Sequence, residues 1–335
     1  MNSFLVKKIT DKENWNEFLN YFDNYDIYHT YDYHIAHADV DSGLPVLYVV
    51  HSGNSVIVFP MLERLIPNST LKDATSVYGY PGPLTNITNK DEFRRVVVKF
   101  ESYLKDVEGY VSYFSRINSL SLEEGLLANN FLISGKTVNV NIKLTENEQL
   151  NQYRSNHKRD IKKLIKKGFE CEFVDYLDNI DKFMEIYNST MNALNASDYY
   201  FFGADYYENI FNNSLSDIKM VVCKIEDEVA CTGIFFFTNK IVQYHLGGTN
   251  SKYYSVAPTK LMFDFVRNYS FKEGYDYFHL GGGLGGEEDN LFSFKFGFSR
   301  DVRNFYLAKR ILNHEVYDKL SENKVASGYF PLYRS

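Results

Sequence analysis

Two stretches of this sequence, one in each half, contain apolar runs separated by a polar turn, and both patterns predict paired β-strands. Residues 46–65, VLYVVHSGNSVIVFPMLERL, contain two strand-like runs joined by a turn at Ser52-Gly53-Asn54. Residues 220–237, MVVCKIEDEVACTGIFFF, repeat this arrangement with a tight turn near Glu226-Asp227. A third strand, IVQYHLGG, begins at Ile241. The pattern predicts a similar set of strands in both halves of the chain.

A helical pattern and a further strand follow each set of strands. DEFRRVVVKFESYLKD, at about 90–106, predicts one helix. The second runs from about Pro258, which suits a first helical turn, to Lys272 and carries an apolar stripe. The next strand is entered through Gly109 in GYVSYFSRI and through Gly274 in GYDYFHLGG. Such alternation of strands and helices predicts an α/β fold.

The order of elements predicts two structurally similar α/β domains of mixed sheets flanked by helices. A chain of 335 residues is long enough for two domains of ordinary size. The exits from the two repeats also match in outline, FLISGKTVNVNI at 131–142 against FSRDVRNFYLAKRI at 298–311. We place the first domain at residues 1–150 and the second, with the candidate site, at residues 151–335.

A strongly basic segment separates the two halves. QYRSNHKRDIKKLIKKG, residues 152–168, predicts a helix that ends at Gly168. It holds seven lysine and arginine residues against one acid, Asp160, a net charge of +6. A solvated surface helix and a binding face for an anionic partner, a phosphate-bearing substrate or RNA, both account for this charge. The candidate anion-binding residues here are Lys158, Arg159 and Lys162.

Composition limits the classes of function and the compartment. The formal net charge of −7 argues against a protein that binds nucleic acid over its whole surface, but it allows a local basic patch. The 28 tyrosines and 27 phenylalanines favour aromatic-lined grooves as well as large cores. The three cysteines form no CxxC pair, so buried thiols in a reducing compartment are expected. We find no signal peptide and no membrane-span pattern, and we predict a cytoplasmic protein.

Several motifs have both a structural and a functional interpretation. His29, His34 and His37 lack a completing carboxylate or cysteine pattern, so we expect surface or core histidines and no metal site. YGYPGPL at 78–84 is a rigid aromatic turn, either a binding lip or a strand connection. HLGGGLGG at 279–286 permits close approach of backbone N–H groups to a ligand, although a flexible loop has the same composition.

Lys295 lies among four phenylalanines in LFSFKFGFS, residues 291–299. An unpaired ammonium is costly to bury among aromatic rings. One interpretation is a lysine that snorkels from an amphipathic helix. The other is a cation that stabilises negative charge on a reacting oxygen where water is excluded. The spacing of two between the phenylalanines does not decide between them.

Taken together, these segments resemble the Fem-type transferases (FemABX) and related GNAT-like acyltransferases. The resemblance covers roughly residues 78–311 and includes YGYPGPL, the basic segment, YHLGGTNSKYYSVAPTKLMFDF, GYDYFHLGGG and FSFKFGFS. It implies two tandem GNAT-like (acyl-CoA N-acyltransferase) domains without the coiled-coil arm of some members. Fem-type enzymes transfer an aminoacyl group from aminoacyl-tRNA to an amine of a peptidoglycan precursor, and relatives are thought to use acyl-CoA.

The resemblance also implies roles for individual residues. Lys295 and Phe294, before Gly297, match the pair whose lysine contacts the reacting acyl group. Tyr244 matches a family tyrosine at a strand exit, and Tyr206 lies near a further one. His245, next to Tyr244, has a pKa suited to accept the proton of the attacking amine.

Four further residues complete the predicted substrate and donor contacts. Tyr80, Gly282 and Asp289 are candidate substrate-binding residues, and Asp289, with Glu287 and Glu288, can bind an ammonium acceptor or remain solvated. The GNAT pyrophosphate loop pattern Q/RxxGxG/A is missing from GTNSKYYSVAPTK. Lys260, with Lys252 and N–H groups at the helix start, could still hold phosphate.

Three functions therefore remain open at the level of sequence. The first is aminoacyl or acyl transfer to an amine of a cell-envelope precursor, in nucleotide-sugar or lipid-linked form, the latter with peripheral membrane contact. The second is acyl-CoA-dependent N-acylation of a sugar or small amine. The third is an inactive GNAT-like module that binds RNA or another anion. No bound cofactor is expected; aminoacyl-tRNA or acyl-CoA is the co-substrate.

Overall fold

The computed structural model describes residues 4–128, 130–325 and 328–335. The chain divides into two compact units, Met1–Ser134 with Asn304–Ser335, and Gly135–Arg303. This division by packing differs from the ranges expected from sequence, 1–150 and 151–335. The reason is a strand near the C-terminus that pairs with the first unit's sheet, which a boundary placed along the sequence does not capture.

The first unit is a mixed sheet with helices against it. Its strands are β1 (Phe4–Ile9), β2 (Leu44–Ser52), β3 (Ser55–Leu65), β4 (Lys72–Thr75), β5 (Leu84–Thr85), β6 (Tyr110–Asn118) and β13 (Asp301–Ile311). Their order in the sheet is β1-β2-β3-β4-β6-β13, and β5 pairs with β3. Its helices are α1 (Lys12–Leu19), α2 (Tyr31–Ala38), α3 (Lys90–Asp106), α4 (Glu124–Leu127) and α11 (His314–Ser321).

Helix α3 shows how the first core forms. Asn89 caps its N-terminus by accepting hydrogen bonds from the N–H groups of Asp91 and Glu92, each at 3.0 Å. Its apolar residues recur every three or four positions and are buried together. Phe100 stacks on Phe59 of β3 with ring centres 4.5 Å apart, so the apolar face of α3 covers the sheet.

The second unit repeats this plan. Its strands are β7 (Leu132–Asn141), β8 (Phe169–Val174), β9 (Asp217–Ile225), β10 (Glu228–Thr238), β11 (Ile241–Thr249) and β12 (Tyr277–Gly281). Their order in the sheet is β7-β12-β11-β10-β9-β8. Its helices are α5 (Glu146–Gln152), α6 (Ser155–Lys166), α7 (Tyr176–Ala193), α8 (Ala204–Phe211), α9 (Thr259–Lys272) and α10 (Asn290–Lys295).

The structure confirms the α/β class and the strand and helix patterns predicted in both halves. Its longest described helix, α7, has 18 residues. The described residues thus contain no long coiled-coil arm, as the resemblance implied. None of the described helices has the length and apolar character needed to cross a membrane.

The cysteines and the three clustered histidines lie where a structural role predicts them. Cys171, Cys223 and Cys231 are free thiols in register across β8, β9 and β10, and the last two are buried. His29, His34 and His37 are fully buried in the first unit. No group of metal-binding side chains was found among the described residues.

Candidate active site

The second sheet opens between two parallel strands. β11 and β12 pair only at Ile241–Tyr277, Val242–Phe278 and Gln243–His279. Beyond this point β11 continues to Thr249 and remains paired with β10. The two strands therefore stop pairing after Gln243 and His279, and the sheet is open between their C-terminal ends.

A β-bulge in β11 lies just past this opening. Ile234 of β10 pairs with Leu246, but Phe235 pairs with Tyr244, so His245 is the extra residue. The rings of Tyr244 and Phe235 lie 5.5 Å apart on the side of the sheet that α9 covers. His245 instead lies 4.3 Å from the ring of Phe236, which points to the other side.

His245 and Tyr206 form a pair away from the α9 side of the sheet. The Tyr206 hydroxyl lies 2.8 Å from Nε2 of His245, and both residues are buried. Tyr206 comes from α8, and its ring stacks on Phe202 at 4.2 Å. Of the three catalytic residues predicted from sequence, the structure therefore brings together Lys295 and Tyr244, and it places His245 on the opposite face.

Lys295 is at the C-terminal end of α10, near the opening between β11 and β12. The residue is only 7% exposed, and Nζ donates a 2.7 Å hydrogen bond to the carbonyl of Gly282. Nζ also lies 6.0 Å from the ring centre of Tyr244. The snorkelling interpretation is therefore wrong: the amino group points into the protein.

The glycine loop before α10 shapes the surroundings of this amino group. Gly281 has φ of +79°, and a Cβ at this position would lie 3.3 Å from Nζ of Lys295. Asp289 closes the loop by accepting hydrogen bonds from the N–H groups of Leu284, at 3.1 Å, and Phe292, at 2.8 Å. Asp289 is thus the N-cap of α10, and the negative charge of its carboxylate acts to raise the pKa of Lys295. Glu288 pairs with Lys136, and Glu287 is exposed.

Burial changes the pKa of the Lys295 amino group. Desolvation lowers its pKa to about 8, although the charge of Asp289 acts in the opposite direction. At pH 7 it is mainly the ammonium form. On the neighbouring strand, burial first and then the charges of Lys295 and Arg303 lower the pKa of His279 to about 3. His279 is therefore neutral at pH 7, and it adds no positive charge beside the ammonium.

A second feature of the unit is a small basic cavity beside the N-terminal end of α9. Its volume is about 120 Å³, and it is lined by Asp160, Lys163, Leu164, Lys167, Ser255, Val256, Ala257 and Lys260. Lys260 donates a 2.6 Å hydrogen bond to Asp160, and this contact is the main cause that lowers the pKa of the carboxyl. Three lysines against one aspartate, at a helix N-terminus, favour an anionic ligand.

Only one of the basic residues that were predicted from sequence to bind an anion lines this cavity. Lys260 lines it, but Lys158 and Lys162 lie on roughly the opposite face of α6, given 3.6 residues per turn. Arg159 is on a flank and contacts Asp160 at 3.4 Å. Lys252 pairs with Glu228 on the surface.

Two predicted substrate-binding aromatics have clear packing roles. Phe294 packs its ring against Phe263 of α9, at 5.9 Å between ring centres. Tyr80 belongs to the first unit, where its ring meets those of Tyr28, at 6.1 Å, and Phe305, at 5.6 Å. A substrate contact for either residue stays a prediction.

Lys163 and Lys167 were not selected from the sequence. A signal for them exists, because Asp160, Lys163, Leu164 and Lys167 share one helical face at spacings of three and four. The start of α6 was also missed as a source of contacts to α10. His157 of α6 lies 3.0 Å from the carbonyl of Phe294.

Comparison with protein families decides the class of this site. Residues 151–290 match the family described as the acetyltransferase (GNAT) domain. The matched range includes the opening between β11 and β12, and Lys295 lies just beyond it. The protein is an acyltransferase, as the sequence predicted.

Solved structures show the same fold over most of the chain. The crystal structure of FemX has a TM-score of 0.70 at 13% identity, and the match covers 93% of this chain and 99% of that one. The structure of L-PGS from Bacillus licheniformis has a TM-score of 0.56 at 14% identity, with 90% and 92% covered. A C-terminal domain of a putative lysylphosphatidylglycerol synthetase from Agrobacterium fabrum gives 0.54 at 16% identity, with 82% and 87% covered. A search of curated proteins gives no match.

Proposed function

We propose that this acyltransferase moves an aminoacyl group from aminoacyl-tRNA to an amine of a cell-envelope precursor, at the opening between β11 and β12. The observation that carries the proposal is the buried amino group of Lys295, held on the Gly282 carbonyl where the two strands stop pairing. The GNAT domain and the structural likeness to FemX support the reaction class. The acceptor class follows the resemblance to Fem-type enzymes and includes nucleotide-sugar and lipid-linked precursors.

The proposed reaction is substitution at a carbonyl carbon. The neutral amine attacks that carbon, and negative charge develops on the carbonyl oxygen. The Lys295 ammonium has three N–H bonds, gives one to Gly282 and offers the others to this oxygen. The intermediate then expels the ribose hydroxyl oxygen of the donor, and the proton lost by the amine restores that hydroxyl. We assign no proton transfer to His245, because it lies on the other face of the sheet.

The basic cavity gives the proposed donor an anchor. Phosphates of either candidate donor, RNA or coenzyme A, carry the charge that Lys163, Lys167 and Lys260 attract. The segment before α9, Ser251–Val256, is a 3₁₀ turn and lacks the glycine pattern of the GNAT pyrophosphate loop. This difference favours RNA over coenzyme A.

Donor consumption tests the proposal directly. The purified protein is mixed with tRNA charged with a radiolabelled amino acid and, separately, with labelled acetyl-CoA, each with a set of amine acceptors that includes peptidoglycan precursors. We expect label to move from tRNA to an acceptor, and RNase treatment to abolish the transfer. Transfer from acetyl-CoA alone supports the acyl-CoA enzyme instead. If neither donor is consumed while RNA is still bound, the chain is an anion-binding module and the proposal fails.

Charge reversal in the cavity should weaken donor binding. Replacing both Lys163 and Lys167 with glutamate is expected to raise the KM for the donor at least tenfold, because each lost charged contact is worth roughly 1.5–3 kcal/mol. The matched control is Lys158→Glu with Lys162→Glu, which makes the same charge change on the opposite face of α6. Equal increases in KM for the two double variants would contradict a donor site in this cavity. The measurement is initial rate against donor concentration at fixed salt, since salt screens both pairs.

A further inference from the structure

The helix that carries Lys295 is held at its end by a histidine from a distant part of the sequence. His157, near the start of α6, is 3% exposed. Its Nε2 lies 3.0 Å from the carbonyl oxygen of Phe294, the residue before Lys295. A carbonyl can only accept, so Nε2 carries the hydrogen and donates it. The same carbonyl also accepts from the N–H of Gly297 at 3.0 Å, so His157 adds a second hydrogen bond at the C-terminal end of α10.

The fit of the His157 ring depends on the residues around it. The ring lies 4.7 Å from that of Phe298 and 5.5 Å from that of Phe294. Gly297 allows this approach, because a Cβ at that position would lie 2.3 Å from Nε2 of His157. Any other residue at 297 would have to displace the ring. The presence of glycine at position 297 therefore has a local physical reason, which is the space that the His157 ring needs.

The backbone and side chain of Arg154 also connect the start of α6 to α10 and the residues that follow it. Its N–H donates to the carbonyl of Gly297 at 2.8 Å. Its guanidinium donates to the Ser293 hydroxyl at 3.2 Å. The entry into α6 thus contacts α10 on both sides of Lys295. The same α6 helix carries Lys163 and Lys167 into the basic cavity two turns further on.

We propose that His157 is a positioning residue for Lys295, fixing the last turn of α10 so that the amino group stays on the Gly282 carbonyl. Its catalytic consequence rests on the proposed function; the positioning itself does not. The basic cavity lies on the same helix as His157, between α6 and the start of α9. His157 itself is neutral at pH 7, since burial and then the charge of Lys260 lower its pKa to about 4.

Competitive labelling tests this role without any turnover. The intact protein is treated with trace acetic anhydride across a pH series, and acetylation of Lys295 is followed by mass spectrometry. The carboxylate whose charge acts on Lys295, that of Asp289, is unchanged in each variant, and so is the neutral neighbour His279. We expect a labelling midpoint near pH 8 in the wild type. His157→Leu should move it up by more than one pH unit, toward the ordinary lysine value of 10.5, as the amino group gains solvent.

The conservative variant separates positioning from a loss of packing. His157→Gln keeps an N–H donor at a similar reach and should retain a midpoint near that of the wild type. With an active donor assay, His157→Leu should lower kcat about tenfold with little change in the KM of the donor, and His157→Gln should recover most of it. If His157→Leu does not fold, His157→Asn, whose amide is too short, takes its place.

The outcomes distinguish this inference from the proposed function. An unchanged Lys295 midpoint in a folded His157→Leu protein overturns the positioning role, whatever the enzyme does. A shifted midpoint in a protein that consumes no donor supports the positioning role and overturns the proposed function alone. A midpoint that shifts equally in His157→Leu and His157→Gln also counts against His157, because the N–H donor would then be irrelevant.

Discussion

Replacing Lys295 with methionine is expected to lower kcat by about 10²–10³-fold, because losing a donor to a developing oxyanion costs roughly 2.7–4 kcal/mol of barrier. Methionine has a similar length and no charge, so it suits the buried site. The fold should survive, because an apolar side chain removes the desolvation cost that the ammonium bears there. Donor binding should change little, since the basic cavity is left intact.

The pH dependence of kcat in the wild-type and Lys295→Met proteins gives a sharper result. The Lys295 pKa is lowered to about 8 mainly by desolvation, so the ammonium is lost as the pH rises through that value. If the ammonium is the active form, the ratio of wild-type kcat to Lys295→Met kcat is highest below pH 8 and falls above it. The ratio cancels the ionisation of the acceptor amine, which affects both proteins alike.

Two results would contradict the role of Lys295. One is a ratio that rises through pH 8, which would mean that the neutral amine acts as a base. The other is a Lys295→Met protein with wild-type kcat. The measurement is kcat at saturating donor and acceptor from pH 6 to pH 9.5, with circular dichroism at each pH to show that both proteins are folded.

Acid is expected to unfold the first unit at a pH where most proteins of its size remain folded. Burial is the largest cause that lowers the pKa values of His29, His34 and His37, to about 4, 3 and 4. Unfolding restores them to about 6.5, so the unfolded chain binds more protons as the pH falls below 6.5. The contribution of these histidines to the free energy of unfolding is therefore complete above pH 6.5. Below that pH it falls by about 1.4 kcal/mol per pH unit for each histidine.

Three such groups together remove roughly 4 kcal/mol per pH unit between about pH 6 and pH 4.5. A typical domain has only about 5–15 kcal/mol in total. The chain has one tryptophan, Trp15, which is fully buried 5.0 Å from the ring of His34. Its fluorescence during urea unfolding at pH 7, 6 and 5 reports the first unit.

A single variant isolates the histidine contribution from that of acidic groups. His34→Gln removes one titrating group and should reduce the pH slope of the unfolding free energy by about 1.4 kcal/mol per pH unit relative to the wild type. Equal slopes in the two proteins would show that buried histidines do not control acid stability.

Local sequence was sufficient for most of the secondary structure. The hairpin predicted at 46–65 is β2 and β3, and the helix predicted at about 90–106 is α3. The helix predicted from about Pro258 is α9, with Pro258 at its N-cap. These elements depend on side chains a few positions apart, which a sequence displays directly. The strand β13 was expected in the second half, but its pairing with β6 joins residues far apart in the chain.

The candidate site was predictable to a smaller extent. Lys295 and Tyr244 were named from their motifs, and the structure brings them together. The face of His245 was not predictable, because it depends on an extra residue in β11 relative to β10. The choice of Lys163 and Lys167 over Lys158 and Lys162 depends on which side of α6 packs against α9. His157 was missed because its partner lies 137 positions away.

The sequence by itself determined the α/β class, the order of the elements, the charge of α6 and the presence of a lysine among phenylalanines. Only the tertiary structure decided which way that lysine points, which lysines share a cavity and which histidine supports the helix end. The physical reason is the distance along the sequence over which each kind of interaction acts. Periodicity and capping act between neighbours in the chain, whereas the direction of a side chain is set by packing against segments that folding alone brings close.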